Sequence, residues 1–389
     1  MSELQTLDKT FVAGTYARFP VEIARGKGSR VWDTAGKEYI DMGSGIAVNA
    51  FGVGDEEWKA AVIAQLDRVQ HTSNLYYTEP CARLAALLCA KTGMKKVFFG
   101  NSGAEANECA IKVARKYAAE TKGAEYSTIV TLKNSFHGRT LTTLSATGQE
   151  HYHELFRPLT PGFMHTPAND IAALEKTLAA NKVAGLLTEC VQGEGGVIAL
   201  ESDFVKRAAD LCAREDILFM MDEVQTGNGR TGKLYAYMNY GVAPDVVTTA
   251  KGLGGGLPIG ACLMGEKAQN VLGPGDHGST FGGNPVACAG AYSILSRLDE
   301  PLFAEVREKS GIVFETLTGA KGVRGVSGMG LMVGVETEKP AAEVVKACIA
   351  RGVLFLTAKN KVRMLPALNI PKEDLKCALG VLCAVCAEP

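Results

Sequence analysis

Short apolar segments alternate with longer amphipathic segments along the middle of this 389-residue chain, and this rhythm limits its fold. The apolar segments have the length and β-branched content of strands, whereas the segments between them have the spacing of helices. The predicted strands are KVFFG (96–100), YSTIVTL (126–132), VAGLLT (183–188), ILFMM (217–221) and DVVTTA (245–250). The predicted helices are 103–120, 170–181 and 202–216, the last with Ser202 as its N-cap. This alternation predicts an α/β fold with a mainly parallel central sheet and helices on both faces.

The two ends of the chain have a different pattern. Residues 28–42, GSRVWDTAGKEYIDM, predict a hairpin with Ala35 and Gly36 near its turn. From about residue 290 the pattern becomes helical and then mixed. We therefore expect residues 1–50 and 289–389 to form a smaller α+β domain beside a large domain of residues 51–288.

The composition argues against several classes of function. Lys and Arg total 41 against 42 for Asp and Glu, so a net charge of -1 offers no footprint for nucleic acid or an anionic membrane. No apolar run is long enough to span a membrane, and the start MSELQTLDKT lacks the features of a secretory signal. The eleven cysteines, an odd number in apolar contexts, indicate reduced thiols and a cytoplasmic protein. Cys383 and Cys386 have CxxC spacing without a second Cys/His pair nearby, which predicts packing rather than a metal site.

Each predicted strand is followed by a polar or glycine-rich cluster. The clusters are NSGAEANE, KNSFHGRT, ECVQGEGG, DEVQTGNGRTG and the segment KGLGGG that begins with Lys251. Ligands of open α/β sheets bind beyond the carboxyl ends of the strands. Five such clusters in succession therefore predict one shared site.

The first cluster has the features of a phosphate-binding helix start. Ser102 and Glu105 have capping-box spacing, and Gly103 and Ala104 leave the first-turn amides uncovered. Free N–H groups and the positive end of the helix dipole suit a phosphate, although an ordinary cap explains this stretch equally well. The chain contains no GxxxxGK[ST] motif, so this is not a Walker loop.

Asp222 and Lys251 place opposite charges directly after apolar strands. A buried carboxylate needs a cation or hydrogen-bond donors, so Asp222 is either a hydrogen-bonded cap or the partner of a protonated ring nitrogen. Lys251 either extends to the surface or lies desolvated, where its amine is a better nucleophile and can form a Schiff base. Val224 points the same way as Asp222 by strand alternation and could pack against a ring face.

Taken together, a phosphate site, the aromatic Phe136, an acid and a nucleophilic lysine describe a site for pyridoxal phosphate. Asp222 would keep the ring nitrogen protonated, while Lys251 would bind the cofactor covalently and later move a proton as general base and acid. The glycines after Lys251 would let the backbone approach the cofactor closely. The segment GLGGG could also suggest a dinucleotide site, but it lacks the G-x-G-x-x-G pattern.

Six longer motifs occur in the order NSGAEANECAIKVARKYA, SFHGRT, VQGEGG, MDEVQTGNGRTG, TTAKGLGGGLPIGA and HGSTFGGNP. In sequence and order they resemble the class III, or ω-amino, aminotransferases of fold type I, from about residue 11 to about residue 370. The resemblance implies a pyridoxal-phosphate-dependent aminotransferase that works as a homodimer with shared active sites.

The resemblance also implies a role for each site residue. Around the cofactor it implies Ser102, Gly103 and Ala104 at the phosphate, Phe136 and Val224 against the ring, Glu189 and Gln225 near its polar groups, Asp222 at the pyridine nitrogen and Lys251 at the covalent bond. Ser279 and Thr280 would reach the phosphate of the neighbouring subunit. Arg139 would bind the α-carboxylate of the substrate. Glu194 and Arg363 would form an ion pair that opens for a dicarboxylate keto acid.

The implied reaction transfers the δ-amino group of N-acetylornithine to 2-oxoglutarate, a step of arginine biosynthesis. Gly45 stands where ornithine aminotransferases carry an aromatic residue, which favours an acylated donor over free ornithine. Succinylornithine, N-succinyl-diaminopimelate and 4-aminobutyrate are alternative donors. A dinucleotide-dependent oxidoreductase and a carrier without turnover are alternatives from other classes. The sequence departs from the family at VGDEEW, which follows NAFG, and at Cys190, which replaces a proline.

Overall fold

The computed structural model describes residues 2–389, which form twelve α-helical segments, three short 3-10 helices and seventeen strands. The strands are β1 Ile23–Lys27, β2 Arg30–Asp33, β3 Glu38–Asp41, β4 Lys96–Gly100, β5 Thr128–Leu132, β6 Phe163–Thr166, β7 Val183–Thr188, β8 Val191–Gln192, β9 Ile198–Ala199, β10 Leu218–Asp222, β11 Val246–Thr249, β12 Gly260–Met264, β13 Val323–Met329, β14 Met332–Thr337, β15 Val353–Leu354, β16 Leu356–Ala358 and β17 Lys361–Met364. The α-helical segments are α1 Glu3–Phe11, α2 Ser44–Ala47, α3 Glu56–Leu66, α4 Glu79–Thr92, α5 Gly103–Thr121, α6 Leu141–Ala146, α7 Ile171–Ala180, α8 Ser202–Arg214, α9 Pro285–Ser296, α10 Glu300–Leu317, α11 Ala341–Ala350 and α12 Lys372–Ala387. The 3-10 helices are Glu150–Tyr152, Ala236–Asn239 and Lys251–Leu253.

A seven-stranded sheet in the order β4-β12-β11-β10-β7-β5-β6 forms the centre of the molecule. Strands β11, β10, β7, β5 and β6 pair in parallel. Strand β12 is antiparallel to both of its neighbours. The prediction of a mainly parallel sheet is therefore confirmed, and the five predicted strands are present within one or two residues of their predicted bounds.

Alternate residues of the central strand β10 pack on opposite faces of this sheet. Leu218 and Met220 belong to the apolar cluster formed with α5, whereas Phe219 and Met221 belong to the cluster that contains Phe204 of α8. Every residue of β10 is buried. A strand covered on both faces needs apolar residues throughout, which explains the unbroken apolar run in the sequence.

The two chain ends meet in a smaller sheet. The hairpin β2–β3 extends this sheet in the order β1-β2-β3-β15, in which β15 from the C-terminal segment pairs in parallel with β3. A further antiparallel sheet has the order β13-β14-β17-β16. The predicted hairpin is thus confirmed. The boundary predicted between residues 288 and 289 falls inside α9, so a division there would cut one helix, and the domain boundaries stay a prediction.

Two local expectations have different outcomes. Ser202 is the first residue of α8 rather than its N-cap, because Glu201 occupies the cap position in an extended conformation, so that prediction was wrong. Cys386 is buried and Cys383 is half-buried, and both lie in the apolar face of α12. Among residues 2–389, no helix combines the length and hydropathy that a bilayer crossing needs.

Glu223 fixes the chain where it leaves the central strand. Its fully buried carboxylate accepts hydrogen bonds from Thr226 Oγ1 at 2.6 Å, from Ala236 N at 2.9 Å and from Tyr237 N at 2.8 Å. Burial raises its pKa to about 7, and the three donors oppose this rise. The carboxylate thus ties residues 223–237 into one unit behind the end of β10.

We expect Glu223→Gln to destabilise the protein by about 1–3 kcal/mol, because the amide nitrogen would face a backbone donor and leave it unsatisfied. Chemical denaturation measures this loss. The matched control is Glu154→Gln on an exposed residue, which should change the free energy of unfolding by less than about 0.5 kcal/mol. Equal stability of the two variants would contradict the role given to Glu223.

Candidate active site

A cavity of about 460 Å³ lies beyond the carboxyl ends of β4, β7, β10 and β11. The predicted site residues that line it are Ser102, Gly103, Ala104, Phe136, Arg139, Glu189, Asp222, Val224, Gln225 and Lys251. Residues from the clusters after all five predicted strands therefore meet at one place. The parallel sheet explains this convergence, because it brings the carboxyl ends of its strands to one edge.

The N-terminus of α5 forms one wall of the cavity. Ser102 is the N-cap, and its Oγ accepts a hydrogen bond from Glu105 N at 3.2 Å. Glu105 Oε2 in turn accepts from Asn101 N at 2.6 Å. The first amides of a helix have no acceptor within the helix, so those of Gly103 and Ala104 are available to an anion in the cavity.

Gly103 allows this helix start to contact the strand end beside it. A Cβ atom at Gly103 would lie 2.6 Å from Val224 Cγ1, closer than carbon atoms approach without displacement. The absence of a side chain therefore sets the distance between the helix N-terminus and Val224. Both residues line the cavity, so this contact also sets the width of the cavity.

Asp222, the last residue of β10, has a carboxylate held by three donors. Oδ2 accepts from Asn107 Nδ2 at 2.8 Å and lies 2.8 Å from His137 Nδ1, while Oδ1 accepts from Val224 N at 3.0 Å. A carboxylate only accepts, so the Nδ1 atom of His137 carries the proton. Only 4% of Asp222 is exposed. These contacts stabilise a negative charge at the base of the cavity.

Sequence reasoning missed the two side chains that hold Asp222. Asn107 and His137 are 1% and 2% exposed, and Asn107 Oδ1 also accepts from Thr248 Oγ1 of β11 at 2.7 Å. A polar residue on the apolar face of α5 was the available signal for Asn107. His137 follows Phe136 directly in SFHGRT, but it is 85 residues from Asp222, so residue patterns could not pair the two.

Lys251 lies directly after β11 in a left-handed backbone conformation, with φ of 46°. It begins the 3-10 helix Lys251–Leu253, which turns the chain away from the sheet edge. Burial lowers the pKa of its amine, and the negative charges of Glu194 and Asp222 oppose this shift. A larger share of the amine is therefore unprotonated and nucleophilic at neutral pH.

Glu194 and Arg363 form the ion pair that the resemblance implied, with Arg363 Nη1 2.5 Å from Glu194 Oε1. Gln225 lies against both, since its Nε2 donates to Glu194 at 3.3 Å and its Oε1 accepts from Arg363 at 3.3 Å. Burial alone would raise the pKa of Glu194, but the Arg363 guanidinium outweighs it and holds that pKa below its usual range. A separation of 169 residues hid this pair from pattern reasoning.

Ser279 and Thr280 do not line the cavity of their own chain. Ser279 Oγ accepts from Asn101 Nδ2 at 3.0 Å and from Gly282 N at 3.1 Å, and Thr280 is exposed. The loop is held by Asn74, whose Nδ2 donates to Ser279 O at 3.1 Å and to Gly282 O at 2.8 Å. The structure of one chain thus leaves these two residues outside the site.

The chain is similar to known proteins over nearly its whole length. The family model for aminotransferase class-III matches residues 11–385. The chain is 51% identical over 389 residues to the acetylornithine aminotransferase of Haemophilus ducreyi, covering 99% of each chain. It is 43% identical to the succinylornithine transaminase of Yersinia pseudotuberculosis, covering 97% of this chain and 95% of the other.

Two solved structures are similar over nearly the whole chain. The N-acetylornithine aminotransferase of Stenotrophomonas maltophilia superposes with a TM-score of 0.84 at 35% identity, covering 98% of this chain and 97% of the other. The ornithine aminotransferase of Toxoplasma gondii superposes with a TM-score of 0.94 at 33% identity, covering 98% and 94%.

The residues of the cavity fit pyridoxal phosphate. The start of α5 offers amides for a phosphate, and Phe136 and Val224 offer apolar walls for a flat ring. Asp222 offers a fixed negative charge for a pyridinium nitrogen, and Lys251 offers a nucleophilic amine for an aldehyde. The cofactor expected from the sequence therefore matches the donor set that the fold assembles.

We expect Gly103→Ala to weaken the binding of pyridoxal phosphate to cofactor-free protein by about tenfold or more, because the added methyl group must displace Val224. Absorbance titration measures the dissociation constant. Gly103→Ala combined with Val224→Ala should recover part of the loss by making room. Gly311→Ala is the matched control, since a Cβ atom there meets nothing within 4 Å. An unchanged dissociation constant for Gly103→Ala would contradict this packing argument.

Proposed function

The chain belongs to the aminotransferase class-III family, and from this premise we propose that it transfers the δ-amino group of N-acetylornithine to 2-oxoglutarate. The products would be N-acetylglutamate 5-semialdehyde and glutamate, which places the reaction in arginine biosynthesis. The observation that carries the proposal is the meeting of Lys251 and Asp222 in one cavity with the N-terminus of α5. The identity of 51% to an acetylornithine aminotransferase supports this donor.

Bound pyridoxal phosphate supplies an aldehyde that accepts an amine and a ring that withdraws electrons from the substrate carbon. The amides after Ser102 would bind its phosphate, and Phe136 and Val224 would hold its ring between them. Asp222 Oδ1 and Oδ2 would keep the ring nitrogen protonated, because their negative charge is fixed before any ligand arrives. Glu189 and Gln225 would contact its polar groups.

Lys251 Nζ would first hold the cofactor covalently and then act on the substrate. Its free amine would take a proton from the carbon that bears the δ-amino group and return a proton as the product forms. Burial lowers its pKa and leaves a larger share of the amine free to accept this proton. The turn at Lys251–Leu253 fixes the origin of this side chain at the end of β11.

The two arginines would bind the carboxylates of the substrates. Arg139 lies at the cavity wall. Its guanidinium carbon is 5.4 Å from the centre of the Tyr152 ring and 6.0 Å from the centre of the Phe136 ring. Within residues 2–389 it forms no ion pair with a carboxylate. We assign it to the α-carboxylate. Arg363 is paired with Glu194. It would stay neutralised while the amine donor is bound and be released for the second carboxylate of 2-oxoglutarate.

Succinylornithine is the second candidate donor, because a succinylornithine transaminase is 43% identical to this chain. Both donors are acylated. Gly45 has no side chain and a φ of 68°, a conformation that an aromatic residue adopts only at a cost. The family resemblance links free ornithine to an aromatic residue at this position. Glycine at position 45 therefore supports an acylated donor over free ornithine.

A cytoplasmic homodimer would complete the site through the loop of Ser279 and Thr280. Asn74 donates a hydrogen bond to this loop. The three residues that follow Asn74, which are Leu75, Tyr76 and Tyr77, are each at least 70% exposed. Phe281 in the loop is 60% exposed as well. So much exposed apolar surface around one loop supports a second copy of the chain as its partner. Ser279 and Thr280 would then reach the cofactor phosphate of that copy.

The proposed reaction predicts a two-step spectral cycle. Adding N-acetylornithine to the protein with bound cofactor should remove its visible absorption, and adding 2-oxoglutarate should restore it. Lys251→Ala should not complete the cycle, since it lacks the amine that moves the proton. Ornithine, succinylornithine and 4-aminobutyrate, tested in the same way, rank the donors. If N-acetylornithine left the spectrum unchanged while another donor removed it, the proposed donor would be wrong.

Arg363→Ala should raise the KM for 2-oxoglutarate by about 10- to 100-fold, because it removes a charged hydrogen bond worth about 1.5–3 kcal/mol. The rate of the half-reaction with N-acetylornithine should stay within about threefold, since Arg363 would keep its pairing with Glu194 in that step. Stopped-flow measurement of each half-reaction separates the two effects. Arg324→Ala on an exposed residue is the control. Equal losses in both half-reactions would contradict the switch.

A further inference from the structure

Two carboxyl groups with different surroundings line the cavity. Asp222 and Glu189 are 4% and 7% exposed, at the ends of the neighbouring strands β10 and β7. Asp222 accepts three hydrogen bonds, two of them from the buried side chains of Asn107 and His137. This group is therefore built to carry a negative charge.

Within the described part of the chain, the carboxyl group of Glu189 accepts one hydrogen bond. Its Oε1 accepts from Phe136 N at 3.0 Å, whereas its buried Oε2 has no hydrogen-bond partner among residues 2–389. A buried carboxylate with an unsatisfied oxygen is costly, but a protonated carboxyl group carries a donor that can be satisfied by a ligand. The surroundings of Glu189 therefore favour its neutral form.

The charged groups that face Glu189 favour the same form. Burial and the charge of Asp222 raise the pKa of Glu189 well above its usual range, and Glu194 adds to this. The Phe136 amide and the amine of Lys251 oppose the rise without reversing it. Arg363, the next cation, is engaged with Glu194. Arg139 also lines the cavity. Within residues 2–389, however, neither Arg139 nor Lys251 forms an ion pair with Glu189.

We propose that Glu189 is a neutral carboxylic acid in the working protein and that its Oε2–H donates a hydrogen bond to an anionic oxygen of the bound cofactor. This inference rests on the proposed function, because it takes the cofactor to be pyridoxal phosphate. The proton stays on Glu189, and no bond is made or broken. Asp222 and Glu189 together then carry one negative charge. That charge lies on Asp222, where it can pair with a pyridinium nitrogen.

The charge state has a consequence for cofactor binding. An ionised Glu189 would lose its donor and repel an anionic ligand. The carboxyl group of Glu189 is neutral below its raised pKa and ionised above it. The affinity for pyridoxal phosphate should therefore fall as the pH rises through that pKa. Gln is the neutral isostere, with one donor and one acceptor at the same positions, and it cannot ionise.

The first test is titration of cofactor-free protein with pyridoxal phosphate at several values between about pH 6 and pH 9. Glu189→Gln should bind within about threefold of the wild type at neutral pH and should lose less affinity than the wild type at high pH. Glu189→Ala, which has no donor, should bind about tenfold or more weakly. If Glu189→Gln binds as weakly as Glu189→Ala at neutral pH, the neutral form is not the one that binds.

The second test is infrared spectroscopy of cofactor-free protein at about pH 8. The absorption of a protonated carboxyl group should be present in the wild type and absent from Glu189→Gln, and Glu154→Gln should match the wild type. Glu223, with its pKa of about 7, is mostly ionised at this pH. If the variant does not fold, the wild-type spectrum decides. The absence of a protonated carboxyl absorption from that spectrum would overturn the inference.

The two proposals fail separately. The infrared test needs neither cofactor nor amino donor. A missing carboxyl band together with an intact spectral cycle would therefore contradict only the inference that Glu189 is neutral. A present band with no spectral cycle would sink the aminotransferase reaction and leave the charge state of Glu189 standing.

Discussion

A buried negative charge at the end of the central strand sets the chemistry of this protein. The carboxylate of Asp222 lies beneath the cavity and is held by Asn107, His137 and the backbone of Val224. Removing a carboxylate from water costs several kcal/mol unless donors replace the water, and here three donors come from three different segments. The charge is therefore in place and oriented before any ligand binds.

The rest of the cavity is arranged around that charge. Glycine at position 103 lets the helix start lie against Val224, and this brings a positive helix end to the same cavity as the carboxylate. Lys251 enters from the adjacent strand with a lowered pKa. An anion site, a fixed carboxylate and a nucleophilic amine thus share one cavity. The buried carboxylate of Asp222 interacts with charged neighbours more strongly there than it would in water.

Charge balance also explains the outer part of the site. Glu194 and Arg363 neutralise each other, and Gln225 contacts both. A pair of this kind can present either a closed, neutral surface or a free guanidinium, depending on the ligand. The opening of this pair that we propose would let one site receive substrates with different numbers of carboxylates.

Much of this could be predicted from the residues alone. The alternation of strands and helices indicated the parallel sheet, because a strand covered on both faces must be apolar throughout, as β10 is. The polar clusters after each strand located the site for a similarly local reason, since the carboxyl ends of parallel strands share one edge. Ser102 and Glu105 fixed the start of α5 through their spacing. Only tertiary structure brought His137 and Asn107 to Asp222 and, among residues 2–389, left Oε2 of Glu189 without a partner. The family resemblance had implied the pair of Glu194 and Arg363, which residue patterns alone could not find. These contacts join residues far apart in sequence, and their geometry depends on how the sheet, α5 and the C-terminal strands pack together. The pattern of residue types thus determined the fold and the place of the site, whereas packing decided which side chains meet there and which of them carry charge.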